Sequence, residues 1–337
     1  MTQKGQKNHY NIKFLKGYGH SISVKDSKII LKSNHDPFSK PEQEEWFVKN
    51  MPYEKIVLSG KGYVSTEALS LLSQNNRNII LLDNHGKPVS FCHSMMDSLT
   101  ATKYRMAQYD TFRNPEKCKY LRKQIISAKQ QSQLKLLRLI GSDITELPEK
   151  ENASARKYWL EFAKFIPEKY NFQSRNQSHI RSSKNNATDI INALLNYGYS
   201  VLAGEISKFV CGFGLDPYFG FMHKTHTGFQ PLVYDIIEPF RWLVDNSVYT
   251  IANNKEKRNR IKLKEYSYTK DGTIVIEYAL IKRFLELLER QFSKEIKFDF
   301  RHGKKTKLGL KSVQEITVGK IYVQNLIDYC TMEKSIF

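Results

Sequence analysis

The stretch SISVKDSKIIL, residues 21–31, decides the fold of the first part of this chain. Apolar and polar residues alternate on both sides of Asp26-Ser27, and a period of two is typical of strands that bury one face. Asp and Ser favour tight turns, so the stretch predicts two strands joined by a short turn. We therefore expect the chain to begin with β structure.

Compact apolar runs continue this pattern at residues 55–58, 78–82 and 89–92. One helix interrupts the strands. Either Ser65 or Thr66 can cap residues 67–74, where apolar side chains recur at helical spacing. Residues 10–93 therefore predict a small β domain with one short helix.

The pattern becomes helical after residue 102. Residues 103–140 contain almost no Gly or Pro and place apolar residues at helical intervals. Further helical patterns lie at residues 153–165, 188–209, 236–251 and 276–291. Polar, basic segments at residues 173–186 and 298–308 are interpreted as loops. The prediction is an α+β protein, with a small N-terminal β domain at residues 1–97 followed by a larger, mainly α-helical domain at residues 98–337.

The charge of the chain points to a polyanionic partner. Lys and Arg number 53 against 34 Asp and Glu, which leaves a net charge of +19. Such a surplus raises the local concentration of phosphate-bearing partners, and nucleic acid is the partner we expect. An ordinary basic protein or a membrane-surface protein is the alternative.

The same sequence argues against several other classes. No apolar run approaches the roughly 20 residues of a membrane span, and the first residues lack the apolar core of a secretory signal. We expect a cytoplasmic protein with no membrane partner. The 4 cysteines lie far apart without a CxxC pair, which disfavours a zinc ribbon and a disulfide framework.

Residues 212–245, GFGLDPYFGFMHKTHTGFQPLVYDIIEPFRWLVD, combine two histidines and two acids within apolar sequence. His223 and His226 precede Asp235 and Glu238, and imidazoles and carboxylates set close together are ligands of divalent metals. His223 follows an apolar run that predicts a strand-like or tightly packed segment. For a histidine taken alone, a core position or a loop hydrogen bond is the commoner role.

Pro239 influences how the acid pair is interpreted. Proline is tolerated in the first turn of a helix, so we predict a helix beginning at residues 236–238 with Asp235 as its cap. In the non-catalytic interpretation, Asp235 only caps and Glu238 pairs with Arg241 on a solvated face. If the chain is already helical at Asp235, the two acids share one face and could share a metal.

Glu151 stands at the start of another predicted helix, where an acid also compensates the helix dipole. Basic residues of this helix and of the loops suit contact with backbone phosphates without reading of bases. Each loop could equally be solvated and without a partner. The candidate DNA contacts are Arg156, Arg175, Arg181, Lys184, Lys224, Arg241, Arg301, Lys304 and Lys305.

Several ordered motifs resemble the CRISPR-associated integrase of spacer acquisition, a metal-dependent DNA endonuclease family that works with a small partner protein. The matching segments are GLDPYFGFMH at residues 214–223, LVYDIIEPFRWLVD at 232–245, INALLNYGYSVL at 191–202 and the Glu-x-x-x-x-Arg-x-Tyr arrangement at 151–158. Residues 55–91 are similar to the amino-terminal half of that family. The resemblance covers most of the chain, in the expected order.

The resemblance implies a site for Mg²⁺ or Mn²⁺. It identifies Glu151, His223 and Glu238 as the metal ligands and catalytic residues, with Asp235 as an adjacent acid. The GFMH frame favours His223 over His226. It further implies that Arg241 and Asp245 support the site structurally. Asn152, which stands where glycine is common in the family, removes no ligand type.

The resemblance also implies the reaction and its partners. A 3′-hydroxyl of spacer DNA attacks a phosphodiester of the repeat array, whereas water in the same position gives hydrolysis. A homodimer through the β domain, bridged by the small partner protein, supplies two active sites. One alternative is a mobile-element integrase of the same fold, which is disfavoured because no additional DNA-binding domain is recognised after residue 326. The other is a non-catalytic DNA-binding scaffold.

Overall fold

The structure is a computed structural model. It describes residues 12–33, 42–53, 55–75, 77–83, 88–92, 98–175, 187–224, 229–270, 272–299 and 310–332. The chain forms two compact units. The first comprises residues 1–118, 203–233 and 320–336, and the second comprises residues 119–202, 234–319 and 337. The predicted division at residues 97 and 98 stays a prediction.

A six-stranded mixed sheet forms the core of the first unit. Its strands are β1 (Ile12–Lys25), β2 (Lys28–Ser33), β3 (Glu42–Phe47), β4 (Lys55–Val64), β5 (Asn78–Leu82) and β6 (Pro88–Cys92). They lie in the order β3-β2-β1-β4-β5-β6. Strand β1 pairs antiparallel with β2 and parallel with β4, which in turn pairs parallel with β5. Leu15, Ile22, Ile29, Ile56 and Leu72 are fully buried in its core.

The local predictions for this sheet are confirmed. Asp26 and Ser27 both have positive φ, 49° and 59°, and Lys25 pairs with Lys28, so a two-residue turn joins β1 to β2. Helix α1 (Thr66–Gln74) is capped by Ser65, whose Oγ accepts a hydrogen bond from the amide of Ala68 at 3.1 Å. The cap is therefore Ser65 and not Thr66.

The remaining chain is mainly helical. Its helices are α2 (Ser98–Phe112), α3 (Pro115–Leu139), α4 (Glu151–Lys164), α5 (Ile190–Gly212), α6 (Pro231–Ile237), α7 (Arg241–Ala252), α8 (Tyr278–Phe292) and α9 (Glu315–Met332). Two antiparallel strand pairs lie among them, β7 (Tyr266–Tyr268) with β8 (Ile274–Ile276) and β9 (Glu295–Asp299) with β10 (Leu310–Gln314). The predicted α+β class, a β region followed by a helical region, is confirmed.

The helical pattern of residues 103–140 is divided into two helices. Asn114 caps the second of these helices, α3, because its Oδ1 accepts hydrogen bonds from the amides of Glu116 at 3.0 Å and Lys117 at 3.1 Å. Pro115 occupies the first position of α3, where its missing N–H costs nothing. Among the helices described, none is both long and apolar enough to span a bilayer.

The predicted start of the helix near Glu238 is wrong. Helix α6 already begins at Pro231, so Asp235 lies inside it and is not a cap. Pro239 has no N–H to donate to the carbonyl four residues earlier, and the chain forms a three-residue 3₁₀ turn at Glu238–Phe240 before α7 begins. Two prolines, at 231 and 239, could each have started the helix, and the first one does.

Candidate active site

Two acids of the second unit reach the same ammonium group. Glu151 is the first residue of α4, and Glu238 is the first residue of the 3₁₀ turn. Lys129 of α3 places its Nζ 2.8 Å from Glu238 Oε2 and 3.5 Å from Glu151 Oε1. Two carboxylates from elements 87 residues apart in sequence therefore share one cation position.

Glu238 is held tightly in this position. Only 3% of the residue is exposed, and Arg241 Nη2 lies 2.7 Å from its Oε1. The predicted pairing of Glu238 with Arg241 is therefore confirmed, but the predicted solvated face is wrong because the carboxylate is buried. Burial by itself lowers the pKa of Arg241, yet Glu238, Tyr199, Asp245 and Tyr234 together outweigh burial, and the pKa is raised.

A second layer of polar contacts lies two helical turns behind the acids. Tyr158 follows Glu151 by seven residues, and Asp245 follows Glu238 by seven. Residues seven apart on a helix lie on nearly the same face. Tyr158 donates a hydrogen bond of 2.6 Å to Asp245 Oδ2, so α4 and α7 are joined directly behind the acid pair.

Asp245 is a fully buried carboxylate with two phenol donors. Tyr199 of α5 donates to its Oδ1 at 2.5 Å, opposite Tyr158. Burial raises the pKa of Asp245 to about 6, although the two hydrogen bonds oppose that shift. Burial and the neighbouring Asp245 raise the pKa of both tyrosines well above 10, which keeps them protonated as donors. These two hydrogen bonds are how Asp245 can support the site structurally, the role predicted for it.

His223 lies in the first unit, in a segment with neither helix nor strand, so the strand-like prediction is wrong. The segment is tightly packed, as predicted: Phe221 is buried with its ring 5.3 Å from that of Phe112. The ring of His223 lies 5.9 Å from the ring of Phe229. His226 lies outside the described residues.

Gln108 of α2 holds the beginning of this segment. The side chain is fully buried; its Nε2 donates to the carbonyls of Asp216 at 2.9 Å and Phe219 at 2.7 Å. Its Oε1 accepts from the amide of Asp216 at 2.9 Å. One amide side chain thus satisfies three backbone groups in the segment that leads to His223.

We expect Gln108→Leu to lower the free energy of unfolding by about 3 kcal/mol, because three backbone groups lose their partner in a buried place. Urea denaturation of the purified variant measures this loss. Gln74→Leu, at an exposed side chain that bonds Ser70, is the control and should stay within about 0.5 kcal/mol of the unmodified protein. Equal stability of both variants would contradict the role assigned to Gln108.

The candidate DNA contacts differ in their surroundings. Arg156 and Lys224 are exposed. The guanidinium of Arg175 donates to Asn192 Oδ1 at 2.8 Å and Asn196 Oδ1 at 2.9 Å, and that of Arg241 pairs with Glu238. The remaining candidates, Arg181, Lys184, Arg301, Lys304 and Lys305, lie outside the described residues. DNA contact stays a prediction for all nine.

Lys129 was not predicted, although the sequence contains a signal for it. The buried side chains of α3 include Leu121, Ile125 and Gln133, which are four and eight residues apart. Lys129 occupies the missing position of this row, where a side chain points to the interior. A lysine in a buried stripe requires an acidic partner, and that requirement could have identified it.

The donor set suits a hard divalent cation. Carboxylate oxygens are the ligands that Mg²⁺ and Mn²⁺ prefer, and Glu151 and Glu238 already approach one cation. Among the residues that the structure describes, no group of three or more His, Cys, Asp and Glu side chains gathers as a metal site. Glu151 and Glu238 could therefore supply part of the ligand set of a Mg²⁺ or Mn²⁺ ion.

The fold and the site together define a class: an α+β protein in which two acids lie beside one cation position. Residues 14–146 and 140–290 match the family described as CRISPR associated protein Cas1. Because these matches span well over half of the chain, the protein belongs to the Cas1 family. Membership confirms the predicted resemblance and the predicted class of function, a CRISPR-adaptation enzyme of the endonuclease and integrase type.

Relatives and solved structures agree with this assignment. A CRISPR-associated protein Cas1 of Methanobrevibacter ruminantium is 29% identical over 279 residues, 73% of this chain and 79% of the relative. A CRISPR-associated endonuclease Cas1 of Archaeoglobus fulgidus is 27% identical over 291 residues, 73% of this chain and 81% of the relative. The fold is similar to a casposase bound to integration product, at TM-score 0.73 and 24% identity over 96% of each chain. It is also similar to a partial Cas6-RT-Cas1–Cas2 complex, at TM-score 0.67 and 18% identity over 96% of each chain.

Proposed function

We propose that this Cas1 protein is a metal-dependent DNA integrase that inserts spacer DNA into a CRISPR array, and that Glu151, His223 and Glu238 hold the metal. The observation that carries the proposal is the convergence of Glu151 and Glu238 on one cation position. The assignment of His223 is supported by the GFMH motif. Asp235, buried inside α6, is proposed as an adjacent supporting acid.

The residues of the site divide the work. When bound, Mg²⁺ or Mn²⁺ would act as a Lewis acid on a phosphodiester oxygen. Arg241 fixes one oxygen of Glu238, and the Tyr158–Asp245 contact joins α4, which begins with Glu151, to α7, which follows the 3₁₀ turn of Glu238. The exposed Arg156 and Lys224 are proposed to contact DNA phosphates.

The partners follow from the reaction. A 3′-hydroxyl of the spacer attacks a phosphodiester phosphorus of the repeat, and the new P–O bond joins the spacer to the repeat. The P–O bond that breaks leaves its oxygen on the repeat strand. Joining both spacer ends requires two active sites, so we propose a homodimer through the β sheet. A Cas2-type partner is proposed because a solved structure of similar fold is described as part of a Cas1–Cas2 complex.

Strand transfer of a labelled duplex into a repeat-containing target, with Mn²⁺ and the partner protein present, tests the proposal. Glu151→Gln and His223→Ala should each lower the rate by at least about a hundredfold, because each removes a ligand from the site. Glu161→Gln is a matched control on α4, since Glu161 pairs with Lys164 and Ser142 instead. That variant should retain the full rate.

Three results would contradict the proposal. Full activity of Glu151→Gln would remove that residue from the site. DNA binding without any product in Mn²⁺ would favour the non-catalytic scaffold. Preferential insertion of donors ending in terminal inverted repeats, with no preference for a repeat-containing target, would favour a mobile-element integrase.

A further inference from the structure

The ammonium of Lys129 lies at the position where a shared metal ion is expected. It comes from α3, whereas the two acids come from α4 and from the 3₁₀ turn, so three separate elements meet at this point. The side chain of Lys129 is 15% exposed, compared with 4% for Glu238 and 37% for Glu151. Its position is therefore largely enclosed, with Glu151 on the more open side.

The charges of these side chains are balanced without a metal. Glu151 and Glu238 contribute two negative charges, and Lys129 and Arg241 contribute two positive charges. A divalent ion added to the same position would bring two more positive charges beside Lys129 and Arg241 in a partly buried place, which is unfavourable. One of the two resident cations has to move away.

Lys129 is the resident cation that is able to move. The guanidinium of Arg241 is fixed by a contact of 2.7 Å with Glu238 and also lies over the ring of Tyr199 at 4.7 Å. Lysine carries a compact charge on a flexible four-carbon chain, and its contact with Glu151 is long at 3.5 Å. An ammonium held by one short and one long contact can withdraw toward solvent without disturbing α3.

We propose that Lys129 is a built-in counter-cation of the metal site. In the metal-free protein it holds Glu151 and Glu238 together and offsets their repulsion. A divalent ion must displace it, so Lys129 sets the metal concentration at which the site loads. The inference rests on the proposed metal-binding function of Glu151 and Glu238.

Calorimetric titration of the full-length protein with Mn²⁺, in the absence of DNA, tests this proposal. Lys129→Met removes the charge and keeps the length, so we expect the Kd for Mn²⁺ to fall by about tenfold. The metal-free variant should melt at a lower temperature than the unmodified protein, and the rise in Tm on adding Mn²⁺ should be larger. Binding and melting are both read without any catalytic turnover.

Two comparison variants make the outcome specific. Lys135→Met is the matched control, because Lys135 lies on the same helix but pairs with Glu315 at 3.5 Å; its Kd for Mn²⁺ should not change. Lys129→Arg keeps the charge and can bind both carboxylates at once, so it should raise the Kd while the protein stays folded. This variant decides the matter if Lys129→Met does not fold.

The possible failures are distinguishable. An unchanged or raised Kd in folded Lys129→Met, or an unchanged or lowered Kd in Lys129→Arg, would overturn the role of Lys129. If Glu151→Gln still abolishes Mn²⁺ binding in that case, the proposed function stands alone. If the unmodified protein takes up no Mn²⁺ with or without DNA, the proposed function and this inference both fail.

Discussion

Glu238→Gln should lower the rate of Mn²⁺-dependent strand transfer by about a hundredfold to a thousandfold, the size of effect seen when one charge-stabilising group is removed from an active site. The substitution keeps the shape of the side chain and removes its charge. Arg241 and Lys129 then keep a neutral amide where they had a carboxylate, and the cation position loses its more buried ligand. The initial rate of product formation on a labelled duplex measures the loss.

Glu265→Gln is the matched control for this prediction. Glu265 is 6% exposed and Glu238 is 3% exposed, and each pairs with an arginine, Arg283 in the first case and Arg241 in the second. Both substitutions break a buried ion pair in the same unit, so their free energies of unfolding should fall by similar amounts. Of the two, Glu238→Gln alone should lower the rate of strand transfer. An equal loss of activity in Glu265→Gln would show that the effect comes from reduced stability.

Asp245→Asn should change how the stability of the protein depends on pH. The carboxyl has a pKa of about 6 in the folded protein and about 3.9 in an unfolded chain. Its folded-state pKa is raised, so its contribution to stability is fully present below pH 4 and is lost as the pH rises through 6. The loss amounts to about 3 kcal/mol between these limits.

Urea denaturation from pH 4.5 to pH 7.5 measures this dependence. The free energy of unfolding of the unmodified protein, relative to that of Asp245→Asn, should fall by about 2 kcal/mol over this range and level off above pH 7. Tyr158→Phe removes one hydrogen bond to the carboxylate, which should raise the pKa of Asp245 further and extend the slope to higher pH. Parallel curves for the unmodified protein and Asp245→Asn would contradict the buried, titrating carboxylate.

Features that depend on neighbouring residues could be predicted from the sequence. The turn at Asp26 and Ser27 and the cap of α1 follow from residues within three positions of each other. Strand β3, Glu42–Phe47, was not predicted because its sequence EQEEWF is mostly acidic and polar. Its pairing with β2 and the ion pair of Glu44 with the buried Lys13 depend on residues far away in the chain.

The same distinction applies to the site. Glu151 and Glu238 were proposed from motifs, whereas their common neighbour Lys129 depends on where α3 lies in the folded chain. The contact between Tyr158 and Asp245 also joins residues that are far apart in sequence. Composition and periodicity describe what each helix buries, but they do not say which helices meet.

The 3₁₀ turn at Glu238–Phe240 also determines the angular position of Glu238. A 3₁₀ helix turns by about 120° per residue and an α-helix by about 100°, so residues three apart are aligned in the first and offset by about 60° in the second. Glu238 and Arg241 are such a pair. By interrupting the α-helix with a 3₁₀ turn, Pro239 therefore sets the direction in which the Glu238 side chain points relative to α7. An α-helix continuing unbroken through this position would point the carboxylate in a different direction even with every acid unchanged.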